Sequence, residues 1–388
     1  MSKYKLIPEL RFPEFFNEGE WKKKQLCEIL DYERPDNYIV SDTNYQKDGT
    51  PVLTANKSFI LGYTKEDYGI YTDLPAIIFD DFTVDCKFVD FPFKVKSSAI
   101  KILKPKENDD LRFAFELFSQ IRFNAIEHKR YYISEFQNLY VSLPKPKEQQ
   151  KIASCLSSLD EVIAANSQKL EALKVHKKGL MQNLFPQEGE KVPKYRFKEF
   201  DENWEKVKLK DVSKYFNGGS YENEVKVEGK YELITLKSIN TSGKLVNSKR
   251  YIDIDVTTLT KGTLVMILSE QAPGLLGMTA VIPTGNKYVL NQRVAEIRPN
   301  QKVENYFLSM AINRNQNYFS KQGAGTKVQN ISKPNVENYE FLLPEILEQQ
   351  KIASCLSSLD ALITAQSEKI VQLKLHKKGL MQGLFPTR

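Results

Sequence analysis

The sequence predicts a mixed α/β (α+β) protein. Two α/β bodies alternate with two long helices that pair as an antiparallel coiled coil, and the whole forms a pseudo-two-fold internal repeat. Three observations lead there. Residues 148–186 return at 348–386 with about three positions in four unchanged. Within each copy the apolar residues recur at heptad spacing. The stretches that precede the copies, 22–147 and 205–347, hold short apolar runs of strand length but share no obvious identity with each other.

In chain order, the N-terminus reads MSKYK and then IPELR rather than an apolar run, and nowhere do about eighteen apolar residues follow one another. This predicts a soluble, cytoplasmic protein. The opening motif RFPEF at 11–15 with Trp21 is echoed by RFKEF at 196–200 with Trp204. The first body carries strand candidates at 75–79 and 98–103 and a helical stretch near 111–124. In the second, strands are expected at 262–268 and 291–297 and helix near 303–319. Each body closes on Leu-Pro, at Leu143-Pro144 and Leu343-Pro344. The expected organisation is a first domain at 1–147, a helix at 148–186, a second domain at 187–347 and a second helix at 348–388.

The helix seam is explicit. Ile152, Leu159, Leu173 and Leu180 form one seven-residue series, and Leu156, Ile163, Leu170 and Leu184 form another offset by four. The second copy repeats them as Ile352, Leu359, Leu373 and Leu380 with Leu356, Ile363, Ile370 and Leu384. Polar interruptions match as well: Asn166 with Gln366, and Lys177 with Lys377. A polar seam residue commonly fixes register at some expense of stability, and the plainer alternative is a fault in the core. At about 1.5 Å per residue, a helix of some 36 residues spans roughly 54 Å, long enough to hold two bodies apart.

Composition narrows the function. With 388 residues, 41% hydrophobic and 27% charged, the chain has material for two globular cores. A net charge of +7 permits a polyanionic partner without requiring one. The cysteines at 27, 86, 155 and 355 lie far apart and only three histidines are present, so neither a zinc cage nor a disulfide framework is suggested. A reducing cytosol fits that usage.

Two loops mix basic, amide and aromatic residues suited to phosphate anchoring and base-edge hydrogen bonds. The first, at 128–132, offers Lys129, Arg130, Tyr131 and Tyr132; the second, at 321–330, offers Thr326, Lys327, Gln329 and Asn330, with glycines that let backbone approach a groove. Gln292 and Arg293 join them as expected DNA-binding residues. A polar, glycine-containing stretch is more often a solvated turn, and equivalent placement in both halves is what favours binding.

The joint pattern resembles the specificity subunits of type I restriction-modification enzymes over essentially the whole chain. The resemblance is carried by RFxEF with its tryptophan, by LPxxxEQQKIA at 143–153 and 343–353, and by KKGLMQxLFP at 177–186 and 377–386. The second body adds Gly262-Thr-Leu-Val, Asn291-Gln-Arg-Val, GxGTK at 323–327 and Ile331-Ser332. The first body departs from that pattern, with FDDFT at 79–83 and Tyr132-Ile133-Ser134. The resemblance implies two target recognition domains, each reading one half of a split double-stranded DNA sequence, with the paired helices as spacer. It also implies two modification subunits that use S-adenosylmethionine to methylate adenine, and ATP-driven restriction subunits. Glu148, Gln149, Gln150 and their copies at 348–350 would be helix openings near subunit contacts.

No catalytic group is expected in this chain. A phosphate-binding GxxxxGK[ST] loop is missing from the sequence, as is the Pro-Pro run of adenine methyltransferases, so S-adenosylmethionine, ATP and Mg are expected in the partner subunits, with no cofactor or metal here. A metal-dependent nuclease would need better-spaced acids than Asp80, Asp81 and Asp85-Cys86-Lys87, and Asp73 has no supporting context. The other alternative is a coiled-coil scaffold or adaptor without DNA binding. Salt-dependent DNA affinity separates it from a DNA reader, because phosphate contacts release counterions.

Overall fold

The computed structural model describes residues 6–56, 58–106, 108–127, 129–270, 274–325 and 328–386. It divides into two compact units, one made of residues 1–167 with 368–388 and the other of 168–367. No helix among the described residues is long and apolar enough to cross a membrane.

Unit 1 is built on a four-stranded antiparallel sheet in the spatial order Leu30–Glu33, Ile100–Pro105, Ala76–Asp80, Cys86–Val89. Ala76–Asp80 is buried at every position, because both sheet faces are covered. Alternation sends Ile77, Phe79 and Leu103 to one core with Trp21 and the Leu111–Phe118 helix. It sends Ala76, Ile78, Ile100 and Ile102 to the other, beneath a smaller sheet of Ile60–Thr64, Thr50–Leu53 and Lys94–Val95.

Unit 2 repeats the plan with different residues. Its four strands run in the order Ser213–Asn217, Val294–Pro299, Leu264–Ile267, Thr279–Val281. Leu264, Met266, Ala295 and Ile297 face one core, and Val265, Ile267, Ala280 and Val294 the other. Even the register agrees: Leu30 pairs with Pro105 as Ser213 does with Pro299, and Ile77 with Leu103 as Leu264 does with Ile297. In each unit the smaller sheet includes one parallel pair, Thr50–Leu53 with Lys94–Val95 and Tyr231–Ile234 with Tyr288–Leu290.

The long helices are Pro146–Asn183 and Ile346–Leu384. Unit 1 holds the first part of the first helix against the last part of the second, so that Ile152, Ala153 and Leu156 share a core with Met381, Leu384 and Phe385. Unit 2 holds the reciprocal parts, with Ile352, Ala353 and Leu356 against Leu184 and Phe185. In both units the helices run antiparallel. Of the seam residues, Ile152, Leu156, Ile352, Leu356, Ile363, Gln366, Ile370 and Leu384 are buried, as is Leu184 just past the end of the first helix. Leu159, Ile163, Asn166, Leu170, Leu173, Leu180, Leu359, Leu373 and Leu380 are half-buried.

The lysines that interrupt the seam are not faults. Within unit 2, Lys177 Nζ lies 2.7 Å from Asp360 Oδ2, and the Tyr306 hydroxyl donates to the same oxygen. Within unit 1, Lys377 Nζ lies 2.7 Å from Asp160 Oδ2 and 3.1 Å from Glu116 Oε2, with Arg112 bonded to both acids. Arg112 and Tyr306 hold equivalent places, each two residues past the capping acid, Asp110 or Glu304, of the short helix beside the coil.

Candidate nucleic-acid interface

The repeated motifs account for how each body is fastened. Arg11 donates through Nε and Nη2 to both oxygens of Glu148, at 2.7 Å each, and Trp21 Nε1 donates to Oε1 at 3.3 Å. Arg196 grips Glu348 at 2.9 and 2.8 Å, and Trp204 Nε1 reaches it at 3.2 Å. A bidentate pair with a further indole donor satisfies most of a buried carboxylate's capacity. Gln149 accepts from the Asp110 amide at 2.9 Å and donates to the Pro144 carbonyl at 3.0 Å. Gln349 does the same with Glu304 and Pro344, at 2.9 and 2.8 Å. Glu148 and Gln149, at 1% and 0% exposure, and the equally buried Glu348 and Gln349 spend their side chains on these internal contacts at the helix openings. Gln150 and Gln350 are exposed.

In unit 1 the expected DNA-binding loop divides sharply. Lys129 and Arg130 are exposed. Lys129 Nζ lies 2.8 Å from both Glu127 and Glu135, and the hydrogen bond to Glu127, then that to Glu135, hold its pKa above the usual lysine value. Arg130 donates to Ser98 Oγ at 3.3 Å and stands over the Phe82 ring at 5.9 Å.

Tyr131 and Tyr132 are core residues, at 2% and 1% exposure, and their expected place on the DNA surface is corrected. The Tyr131 hydroxyl donates to the Glu127 carbonyl at 2.8 Å. Tyr132 packs edge-on against Phe79 at 5.2 Å and Tyr32 at 5.4 Å, and burial pushes its phenol pKa up. Asp81 pins the segment: it accepts the Tyr132 amide at 2.7 Å on its side chain and the Tyr131 amide at 2.8 Å on its carbonyl, and it pairs with Lys101. Asp80 caps its own turn through the Phe82 and Thr83 amides. Asp80 and Asp81, two of the acids weighed for a nuclease centre, are thus committed to the fold.

Unit 2 holds a cavity of about 770 Å³ that includes two of the expected residues. Gln292 and Arg293 line it, both exposed, and neither side chain makes a hydrogen bond or ion pair among the described residues. The cavity also includes Lys237, Ser248 and Arg250. Glu222 accepts from Asn291 Nδ2 at 2.8 Å and pairs with Arg250, and these two contacts hold its carboxyl below the usual range. Glu270 is buried and caps the Leu275 and Leu276 amides at 2.7 Å each. Gln329 and Asn330 form a strand paired with Ser269–Glu270, and Asn330 accepts from Ser269 Oγ. Thr326 and Lys327 lie outside the described residues. Sequence reasoning missed Glu222, Lys237 and Arg250, because a cavity assembled from positions 222 to 293 leaves no local pattern.

Matching backbone bonds align the two surfaces. The Asp81 amide donates to Ala99 and the Tyr131 amide to Asp81; the Leu268 amide donates to Arg293 and the Ile331 amide to Leu268, all at 2.8–2.9 Å. Ala99 is therefore equivalent to Arg293, Ser98 to Gln292 and Arg130 to Asn330.

The family model "Type I restriction modification DNA specificity domain" matches residues 18–175 and again 201–375. The EcoR124I/EcoR124II specificity subunit of Escherichia coli is 27% identical over 384 residues, 93% of this chain and 92% of that protein. The MjaVIII specificity subunit of Methanocaldococcus jannaschii is 26% identical over 94% of this chain and 89% of its own length. The crystal structure of the S subunit from M. genitalium shares the fold, with a TM-score of 0.68 at 16% identity over 98% of this chain and all of that one. With both repeats matched, the chain belongs to the family of type I restriction-modification specificity subunits.

Proposed function

We propose that the chain is the DNA-reading, non-catalytic member of a cytoplasmic type I complex, and that each α/β body reads one half of a bipartite double-stranded target in the major groove. The carrying observation is that two bodies of one fold, fastened by the same Arg–Glu–Trp contacts, present different residues at equivalent positions, Ser98, Ala99 and Arg130 against Gln292, Arg293 and Asn330. Two displayed surfaces that carry different side chains on one shared backbone frame are what reading two different half-sites requires. In this reading two modification subunits supply adenine methylation with S-adenosylmethionine. Restriction subunits supply ATP- and Mg-dependent cleavage, and the heptad segments set the preferred spacing between half-sites.

The test is methylome sequencing of cells with and without this chain, with its modification subunit present in both. A split motif bearing methyladenine in each half supports the reading. A stable complex without new methylation favours a scaffold or adaptor instead.

A further inference from the structure

Which side chains read bases can be narrowed by the equivalence of the two bodies; the inference rests on the DNA-reading function proposed above. In each unit one edge of the central sheet ends in the same corner. A three-residue segment, 97–99 or 291–293, leads into Ile100–Pro105 or Val294–Pro299, and the chain returns beside it at 130 or 330. The corner is filled reciprocally. In unit 1 the leading segment is Ser97-Ser98-Ala99 and the returning residue is Arg130; in unit 2 the leading segment is Asn291-Gln292-Arg293 and the returning residue is Asn330. Each corner thus displays one guanidinium, supplied from a different chain position.

The surroundings favour a ligand over an internal partner. Arg293 has φ of +67°, a conformation that L residues rarely adopt, held by the bond from the Leu268 amide to its carbonyl. Among the described residues its side chain makes no hydrogen bond or ion pair; Glu222 on the same cavity attracts it at a distance but is bonded to Asn291 and Arg250. Gln292 beside it likewise makes no side-chain hydrogen bond among the described residues. Among the described residues Arg130 makes one long bond to a serine and stands over the Phe82 ring, and it is exposed. A planar guanidinium with free donors matches the paired O6 and N7 acceptors of guanine in the major groove through two parallel N–H groups, a fixed fork that an ammonium lacks.

We propose that Arg130 and Arg293 are matched specificity-determining residues, each donating to a guanine edge in its own half-site. The test uses the full chain assembled with its modification subunits on a DNA library randomised over both half-sites, read by methylation sequencing, for wild type, Arg130→Lys, Arg130→Ala, Arg293→Lys and Arg293→Ala. Each variant is expected to lose roughly tenfold to a hundredfold discrimination at one guanine position, in one half-site only and in different halves for the two arginines. The lysine variants keep the charge, so the salt dependence of binding stays near wild type while affinity for the guanine-bearing site falls with the discrimination. Unchanged base preference at every position, or a uniform loss across all sequences, overturns the inference while leaving the DNA-reading function standing. Wild type that methylates without sequence preference overturns both.

Discussion

The two bodies agree where they are fastened and differ where they are displayed. At the joints, Arg11, Trp21, Glu148 and Gln149 recur as Arg196, Trp204, Glu348 and Gln349 with hydrogen bonds that differ by only a few tenths of an ångström. At the corners, Ser98, Ala99 and Arg130 face Gln292, Arg293 and Asn330 across the same backbone pattern. The joint is intolerant of change because a buried carboxylate left without donors is expensive. The corner is tolerant because its side chains are solvated and its geometry is held by backbone bonds any residue can make.

The largest expected effect breaks the joints. Glu148→Ala leaves the Arg11 guanidinium and the Trp21 indole without their buried acceptor, and Glu348→Ala does the same to Arg196 and Trp204. Each should destabilise its unit by about 3 kcal/mol or more, seen as a lowered thermal midpoint. Equal losses support equivalent joints, and a loss at only one copy breaks the comparison. Next, Leu156→Ala and Leu356→Ala, both wholly buried where coil meets body, should each cost about 2–5 kcal/mol in urea unfolding.

The lysine nodes sharpen the comparison at smaller magnitude. Lys377 balances Asp160 and Glu116, whereas Lys177 meets Asp360 with Lys244 3.5 Å from the other oxygen. Lys377→Met should therefore cost more than Lys177→Met, by about 1 kcal/mol on the same unfolding assay. Equal costs would make the second acid irrelevant. Smallest is a pH effect. Burial works to raise the Asp360 pKa, but the hydrogen bonds from Lys177 and Tyr306 outweigh it and hold the value below the ordinary 3.8. A depressed folded value stabilises the protein above the unfolded pKa and loses that contribution as pH falls through the folded one. The stability gap between wild type and Asp360→Asn should then be complete at neutral pH and shrink only below about pH 4.

The helices and their seam were legible because a heptad is a local pattern: Ile152 and Leu156 announce a buried stripe whatever they meet. The Arg11–Glu148 bond was not, since 137 residues separate its partners and the motif reveals only that both recur. Tyr131 and Tyr132 were misread because a basic and aromatic run has the same composition whether its rings line a groove or fill a core. A signal was present in the second copy, where apolar Ile331 occupies the position of Tyr131 and is buried too. Arg293 was legible as a candidate, but its pairing with position 99 rather than with a residue of its own kind needed the backbone bonds.

The division of the long helices has a consequence for the order of events during synthesis. Unit 2 is one uninterrupted stretch, 168–367, while unit 1 takes residues 368–388 to complete residues 1–167. Trp21 and Phe113 emerge from the ribosome early, yet Phe385, which stacks on Phe113 at 5.4 Å and closes against Trp21 at 6.1 Å, is translated only after the whole of unit 2. The part of the protein made first is therefore the part finished last, and a released chain that ends at residue 367 should bury Trp204 while Trp21 still answers to an aqueous quencher.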